Sequence, residues 1–204
     1  MSDFHPPQTN ICSFGIGYLV RLAIVSAMAA GSIAWADTTA ALQALQQPGS
    51  VVLFRHALAP GGGDPEGFVA GDCATQRNLS AGGQEQARRM GKSLRQHGVV
   101  VGEVWHSEWC RTRDTAQLAF PAMRAGTLLP QPAFNSFFGR PGSEPLHTSA
   151  ARKLLLGWRG PGTLVVITHQ VNITALTGVV PQSGEGVVLQ NKNGALLVRG
   201  NLLP

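Results

Sequence analysis

The sequence predicts an α/β fold: a mostly parallel sheet covered by helices, with an antiparallel edge. Three observations carry that reading. Residues 50–54 (SVVLF) and 163–168 (TLVVIT) are short apolar runs rich in β-branched side chains, as expected of strands buried on both faces. Helical patterns alternate with these runs, the signature of strand–helix–strand units. Near the C-terminus, 187–190 and 195–199 flank Asn191-Lys192-Asn193-Gly194, and the Asn-Gly pair marks a hairpin turn.

The elements follow in order. Residues 39–47 (TAALQALQQ) predict a short helix closed by Pro48-Gly49, just before the first strand. Residues 59–78 hold three consecutive glycines and several acids, and read as a long ordered loop of the kind that often carries function. Ser80 can cap a helix running to about His97, with Ala87, Met90 and Leu94 on its apolar face and Gly98 stopping it. Residues 99–106 predict a second strand and 112–120 a second helix ended by Pro121. A further helix is expected over 148–158, and another over 170–177 after the strand at 163–168.

A leader precedes this body. Residues 22–36 (LAIVSAMAAGSIAWA) are uncharged, follow Arg21 and end in Ala34-Trp35-Ala36, the pattern of a secretory signal cleaved after Ala36. The stretch is short for a membrane span, so no stable span is expected after cleavage. The long segment before Arg21 suggests a start downstream of Met1. The expectation is therefore a signal peptide over 1–36 and one domain over 37–204, periplasmic or secreted. The leader removes Arg21 and Asp3 together, leaving the net charge of +5 unchanged. Three lysines and scattered arginines without a recognised motif argue against nucleic acid as a partner. Cys12 leaves with the leader. Cys73 and Cys110 remain as a candidate disulfide in an oxidising compartment, the alternative being two separate buried thiols. Neither has ligand-like neighbours, so no metal site is expected.

In such sheets reactive groups gather where strands end. Two strands run into histidine, at Arg55-His56 and at Thr168-His169, and a third leads through His106-Ser107 to Arg111. If residues 55, 56, 111 and 169 meet at one mouth of the sheet, two imidazoles and two guanidiniums surround a small space. Such a set suits a phosphoryl group: arginine offers a planar fork of donors, and a neutral imidazole can attack phosphorus. No cofactor is required if the arginines supply the positive charge.

The motifs resemble those of the histidine phosphatase superfamily, with its phosphoglycerate-mutase-like fold. The family's Arg-His-Gly start is matched by Arg55-His56-Ala57, with alanine where glycine is common. Its Leu-Ser/Thr-x-x-Gly-x-x-Gln-Ala pattern is close to residues 79–87. Residues 104–116 resemble its second phosphate-binding arginine and Thr-Ala helix, and 165–169 its second histidine motif. These elements occur in family order across 50–199. The resemblance implies a three-layer α/β/α sandwich, a phosphohistidine intermediate on His56, a phosphate pocket made by Arg55, Arg111 and His169, and no metal. The stretch 72–80 is similar to exported bacterial members, some of which act on lipopolysaccharide-core heptose phosphate. That implies a small phosphorylated substrate, with a cell-envelope phosphosugar as one choice.

One departure matters. An alcohol leaving group needs a proton, usually from a carboxylic acid over the phosphate. The stretches that would supply it in the family, 134–138 and 169–172, hold no carboxylate. Asp64 and Glu108 are the leading candidates, with Glu66 and Asp72 behind them and Glu85 reading as a helix-surface charge. Without an acid, phosphohistidine becomes a more plausible substrate, or the chain is a phosphosugar-binding module without turnover. A phosphomutase is less favoured. Arg77 could extend the anion pocket or serve a structural salt bridge. Arg113 is expected to turn elsewhere, and His106 to stand behind the site. His97 and His147 read as helix-end and surface residues, and Phe134, Phe137 and Phe138 as core or as a wall over the site. The hairpin edge could pair with a second chain, so the sequence sets no oligomeric state.

Overall fold

The structure, a computed structural model, describes residues 1, 2, 5, 38–123 and 126–203. The expected signal segment over 22–36, its flank and Cys12 lie outside the described residues. The chain divides into units Met1–Ala36 and Asp37–Pro204, and the fold is that of the second.

Helix α1 (38–45) leads into strand β1 (Ser50–Arg55). The long loop then contains one 3-10 turn, Cys73–Thr75, before α2 (Ala81–Gln96). Strand β2 (Val101–His106), helix α3 (Cys110–Ala119) and strand β3 (Leu128–Pro130) follow. The remainder is α4 (Glu144–Gly157), β4 (Thr163–Thr168), α5 (Gln170–Thr177), β5 (Gly186–Lys192) and β6 (Ala195–Leu202). The sheet order is β3-β2-β4-β1-β5-β6, parallel through the first four strands and antiparallel for the last two. It is the predicted α/β/α sandwich.

Strand periodicity makes the layers. In β1, Val52 and Phe54 join Val165, Ile167 and Val188 on one face, covered by α1, α2 and α3 through Leu45, Met90 and Ala116. Val51 and Leu53 point the other way, with Val166 and Leu189, under α4 and α5 through Leu155 and Ile173. Both faces are dry, which is why 50–54 and 163–168 read as unbroken apolar runs.

Several boundaries differ from expectation for identifiable reasons. Helix α3 starts at Cys110, not at Thr112. The Cys110 N–H donates to Gln76 Oε1 at 2.9 Å, so the cap comes from far up the chain, while the Thr112 hydroxyl bonds back to the Trp109 carbonyl. Helix α4 starts at Glu144, because Pro145 in the first turn lacks only an N–H that has no helical partner there. Strand β3 was not anticipated: three residues show no period, and its terminal Pro130 is tolerated at a sheet edge. Strand β2 begins at Val101, since the Val99 N–H still closes α2 on Leu94 O at 3.0 Å. Asn193 and Gly194 make the expected turn, with φ of 54° and 78°.

Helix α2 packs closely on its neighbours through two glycines. A Cβ at Gly91 would stand 1.8 Å from Ala119 O, and one at Gly83 would stand 2.0 Å from Leu58 O. Gly91→Ala should therefore destabilise the domain by about 1–3 kcal/mol, because the backbones must separate. Gly82→Ala, with only an ordinary contact to Ser80 Oγ at 3.8 Å, should not. Urea midpoints of the two variants measure the contrast.

Candidate active site

The carboxyl ends of β2, β4 and β1 lie side by side at the centre of the sheet. Arg55 is in register with Thr168, the His56 N–H donates to Thr168 O at 2.9 Å, and the Ser107 N–H donates to Ile167 O at 3.1 Å. The residues that follow these strands therefore enter one space. The His56 and His169 rings stand 5.5 Å apart at 66°. Arg111, in the first turn of α3, reaches His169 Nδ1 with Nη2 at 3.5 Å. A cavity of about 210 Å³ is lined by Arg55, His56, Arg77, Arg111 and His169, with Asp64 among them. Gly61, Gly62, Gly63, Ser136, Phe138, Gln170 and Val171 complete the lining.

Hydrogen bonds fix where the ring protons sit. His56 Nδ1 is 2.8 Å from Ala57 O, and a carbonyl only accepts, so Nδ1 carries the proton and Nε2 keeps its lone pair. On His169, Nδ1 faces a guanidinium donor, so the neutral ring holds its proton on Nε2 and donates to Ser107 Oγ at 2.8 Å. Ser107 Oγ lies 2.7 Å from Thr112 Oγ1. Burial, with Arg111 and Arg55 nearby, lowers His56 from the usual 6.5 to about 3, against the opposing bond to Ala57 O. His169 is lowered well below 6.5, first by burial and then by His56 and Arg111. At neutral pH the site thus holds two uncharged rings among cations.

Arg55 and Arg77 are also lowered from their ordinary value, mainly by burial and then by Arg111. Among the described residues, the buried Nε atoms of Arg55 and Arg111 have no hydrogen-bond partner. Unpaired buried donors beside mutually repelling guanidiniums ask for an anion with several acceptor oxygens. Gln170 and Val171, the first two residues of α5, line the same cavity, so the positive end of a helix adds to the field. Among the described residues, no group of three or more His, Cys, Asp or Glu is placed to hold a metal ion, and no helix is long and apolar enough to cross a membrane.

The candidate acids separate clearly. Asp64 lines the cavity and bonds Arg111 Nη1 at 2.6 Å. Glu108 does not line it: its carboxylate accepts from Asn135 Nδ2 at 2.6 Å, and its N–H donates to Asn135 Oδ1 at 2.9 Å, a reciprocal clasp that corrects its candidacy as a donor. Asp72 caps the 3-10 turn by accepting from the Ala74 N–H at 3.0 Å. Glu66 is exposed outside the lining, and Glu85 pairs with Arg88 on the surface of α2.

Arg77 lines the cavity and also braces the long loop, donating to the carbonyls of Ala59, Gly61 and Gly63 rather than to a carboxylate. Cys73 and Cys110 are disulfide-bonded, with Cα atoms 5.7 Å apart, which ties that loop to the start of α3. Arg113 turns away to Asp114 at 2.9 Å. His106 is buried behind Ser107, and His97 closes α2 on Ser93 O. His147 lies against the ring of Phe137. Phe134 is core, whereas Phe138 stands exposed on the cavity rim. Sequence reasoning gave no role to Ser107, although it sits inside the 104–116 motif, and read Trp109 only as a residue that packs or lines a pocket, not as a partner of Asp64. A lone serine or tryptophan carries no spacing signal, and their partners come from distant segments.

No family model and no curated protein matches the chain. Solved structures do. The protein histidine phosphatase SixA complexed with tungstate superposes with a TM-score of 0.53 at 16% identity, covering 75% of this chain and 96% of that one. The SixA protein from Agrobacterium tumefaciens gives 0.52 at 16%, covering 78% and 99%. A phosphoserine phosphatase from Entamoeba histolytica, in complex with 3-phosphoglyceric acid, gives 0.54 at 14%, covering 76% and 97%. The fold is phosphoglycerate-mutase-like. At these identities the likeness speaks for this architecture alone, and the chemistry is set by the cavity itself.

Two outcomes follow from the burial and the disulfide at this site. Unfolded, both histidines take up protons near pH 6.5, whereas folded they stay neutral, His56 down to about 3. The unfolded chain therefore binds more protons in that window, and stability should fall as pH drops through it, by up to about 1.4 kcal/mol per pH unit for each ring. Urea midpoints across pH should show this, with a shallower slope in His56→Asn. Reducing the Cys73–Cys110 bond should cost about 2–4 kcal/mol of stability, read as a lower urea midpoint with reductant.

Proposed function

We propose that the protein is a metal-independent phosphatase that hydrolyses a phosphomonoester through a phosphohistidine on His56. One observation carries this reading: a buried imidazole with its Nε2 lone pair free stands in a cavity whose other ionisable walls, among the described residues, are His169, three guanidiniums and a single carboxylate. The Nε2 lone pair attacks phosphorus, the bond from phosphorus to the ester oxygen breaks, and the imidazolium proton stays on Nδ1, held by Ala57 O. Arg55 and Arg111 donate to the phosphoryl oxygens, whose charge they stabilise most as it redistributes in transfer. Phosphate charge favours a second proton on His169, so that Nδ1 also becomes a donor. Water then attacks phosphorus, the bond to Nε2 breaks, and phosphate leaves.

For the substrate we propose a small phosphosugar of the cell envelope, met in the periplasm. The leader pattern before residue 37 and the 72–80 motif support this choice. So does a rim that offers a phenyl face at Phe138 and polar groups at Ser136 and Gln170.

Rapid mixing with phosphomonoesters and phosphosugars, in the presence of chelator, should label the protein with phosphate that is lost in acid and kept in alkali. His56→Ala should abolish both label and turnover, by at least about a thousand-fold. Arg111→Ala should lower kcat by about a hundred-fold. Turnover at the normal rate in His56→Ala would end the proposal.

A further inference from the structure

Two oxygens of Asp64 are held by different kinds of partner. Oδ1 accepts from Arg111 Nη1 at 2.6 Å, and Oδ2 accepts from Trp109 Nε1 at 2.9 Å. The first partner belongs to the anion pocket, where Arg111 is almost fully buried. The second does not line the cavity. A phosphate that claims the Arg111 fork therefore competes for Oδ1 and leaves Oδ2 where it is.

The indole that keeps Oδ2 is itself fixed. Trp109 stacks on Phe68 at 5.1 Å and 19°, meets the His169 ring edge-on at 5.4 Å, and precedes the disulfide-bonded Cys110. From the other side, Arg77 Nε holds the carbonyl of Gly63, the residue before Asp64, at 2.9 Å. Gly63 has φ of 67°, a conformation that aims the chain back over the cavity at little cost to glycine alone. Asp64 is thus positioned by two anchors that do not depend on the anion.

We propose that Asp64 is the catalytic acid, giving the leaving oxygen a proton from Oδ1, and that Trp109 is the positioning residue that keeps its carboxyl over the phosphate. The inference rests on the phosphatase reading above. Asp64 occupies Arg111 as a stand-in for the anion. When the phosphate dianion takes over that fork, Oδ1 loses Arg111 as its partner and stands against the anion's oxygens, while Oδ2 stays on Trp109 Nε1. As the ester bond breaks, its electron pair goes to the leaving oxygen, and the proton on Oδ1 follows, giving an alcohol and the Asp64 carboxylate. In the second step the carboxylate takes a proton from the attacking water, whose oxygen bonds to phosphorus as the bond to Nε2 breaks. Asp64 ends protonated and His56 neutral. The site thus supplies an acid for difficult alcohol leaving groups from the loop after β1, although the stretches 134–138 and 169–172 supply none.

The test compares phosphoenzyme formation in single turnovers on two substrates, a sugar 6-phosphate with a poor alkoxide leaving group and p-nitrophenyl phosphate with a good one. Asp64→Asn should slow the alkyl ester by about 10²–10³-fold and the aryl ester by less than about tenfold. Trp109→Phe, which keeps the ring but not the N–H, should shift the rates in the same direction by less, with KM for the alkyl ester little changed. Orthophosphate should bind Asp64→Asn at least as tightly as the parent chain, since Arg111 is no longer shared with a charged rival. Equal losses on both esters, no loss on the alkyl ester, or loss of orthophosphate binding in Asp64→Asn would overturn the assignment while leaving the His56 chemistry in place. A parent chain that forms no phosphoenzyme on either ester would overturn both readings together.

Discussion

Everything in this site depends on crowding positive charge into a dry place. Arg55, Arg77 and Arg111 share one cavity, where burial first and then the neighbouring Arg111 lower Arg55 and Arg77 from their ordinary value. The fold tolerates this because backbone carbonyls take part of the guanidinium donors, Pro181 O for Arg55 and the 59–63 loop for Arg77. Asp64 answers Arg111. What is left unanswered, the Nε of Arg55 and of Arg111, is a demand for acceptors that an incoming phosphate meets. Burial first, and then the same cations, keep both imidazoles neutral, so the dry cationic pocket that attracts the anion also preserves the nucleophile's lone pair.

The scaffold makes this crowding possible by alignment. Parallel pairing of β1, β4 and β2 forces three chain ends to leave the sheet at neighbouring points on one side. Two of those ends carry histidine at the first residue past the strand, and the third carries the helix whose first turn holds Arg111. Backbone bonds from His56 to Thr168 and from Ser107 to Ile167 continue the ladder past the strands, which removes slack where the side chains turn inward. The long loop is then fastened above by the disulfide, by Arg77 and by the Trp109–Phe68 stack. Rigid floor and tethered roof together define the cavity.

Local signals were enough for much of this. Strand β4 and helix α5 begin and end where the apolar run and the histidine predict, because both are set by near neighbours in the chain. The hairpin was visible in Asn193-Gly194, whose positive φ values few other residue pairs accept. Elements capped or paired from afar were not legible in the same way. The start of α3 depends on Gln76, 34 residues upstream, and β3 exists because β2 offers an edge. The acids show the same division. Asp64 and Glu108 are both loop carboxylates in the sequence, and Glu108 is the nearer to Arg111 along the chain. Space reverses that order, because Asn135 takes Glu108 while the glycine loop delivers Asp64 across 47 residues.

The central claim is that segments far apart in the chain converge on one tetrahedral anion in line with the free nitrogen of His56. A crystal structure with orthovanadate tests it most directly. The account predicts vanadium bonded to His56 Nε2, with its oxygens on Arg55, Arg111 and His169 and with Asp64 displaced from the Arg111 fork while still held by Trp109. Vanadate bound away from His56, or a cavity that stays closed by the Asp64–Arg111 pair at saturating vanadate, would contradict it.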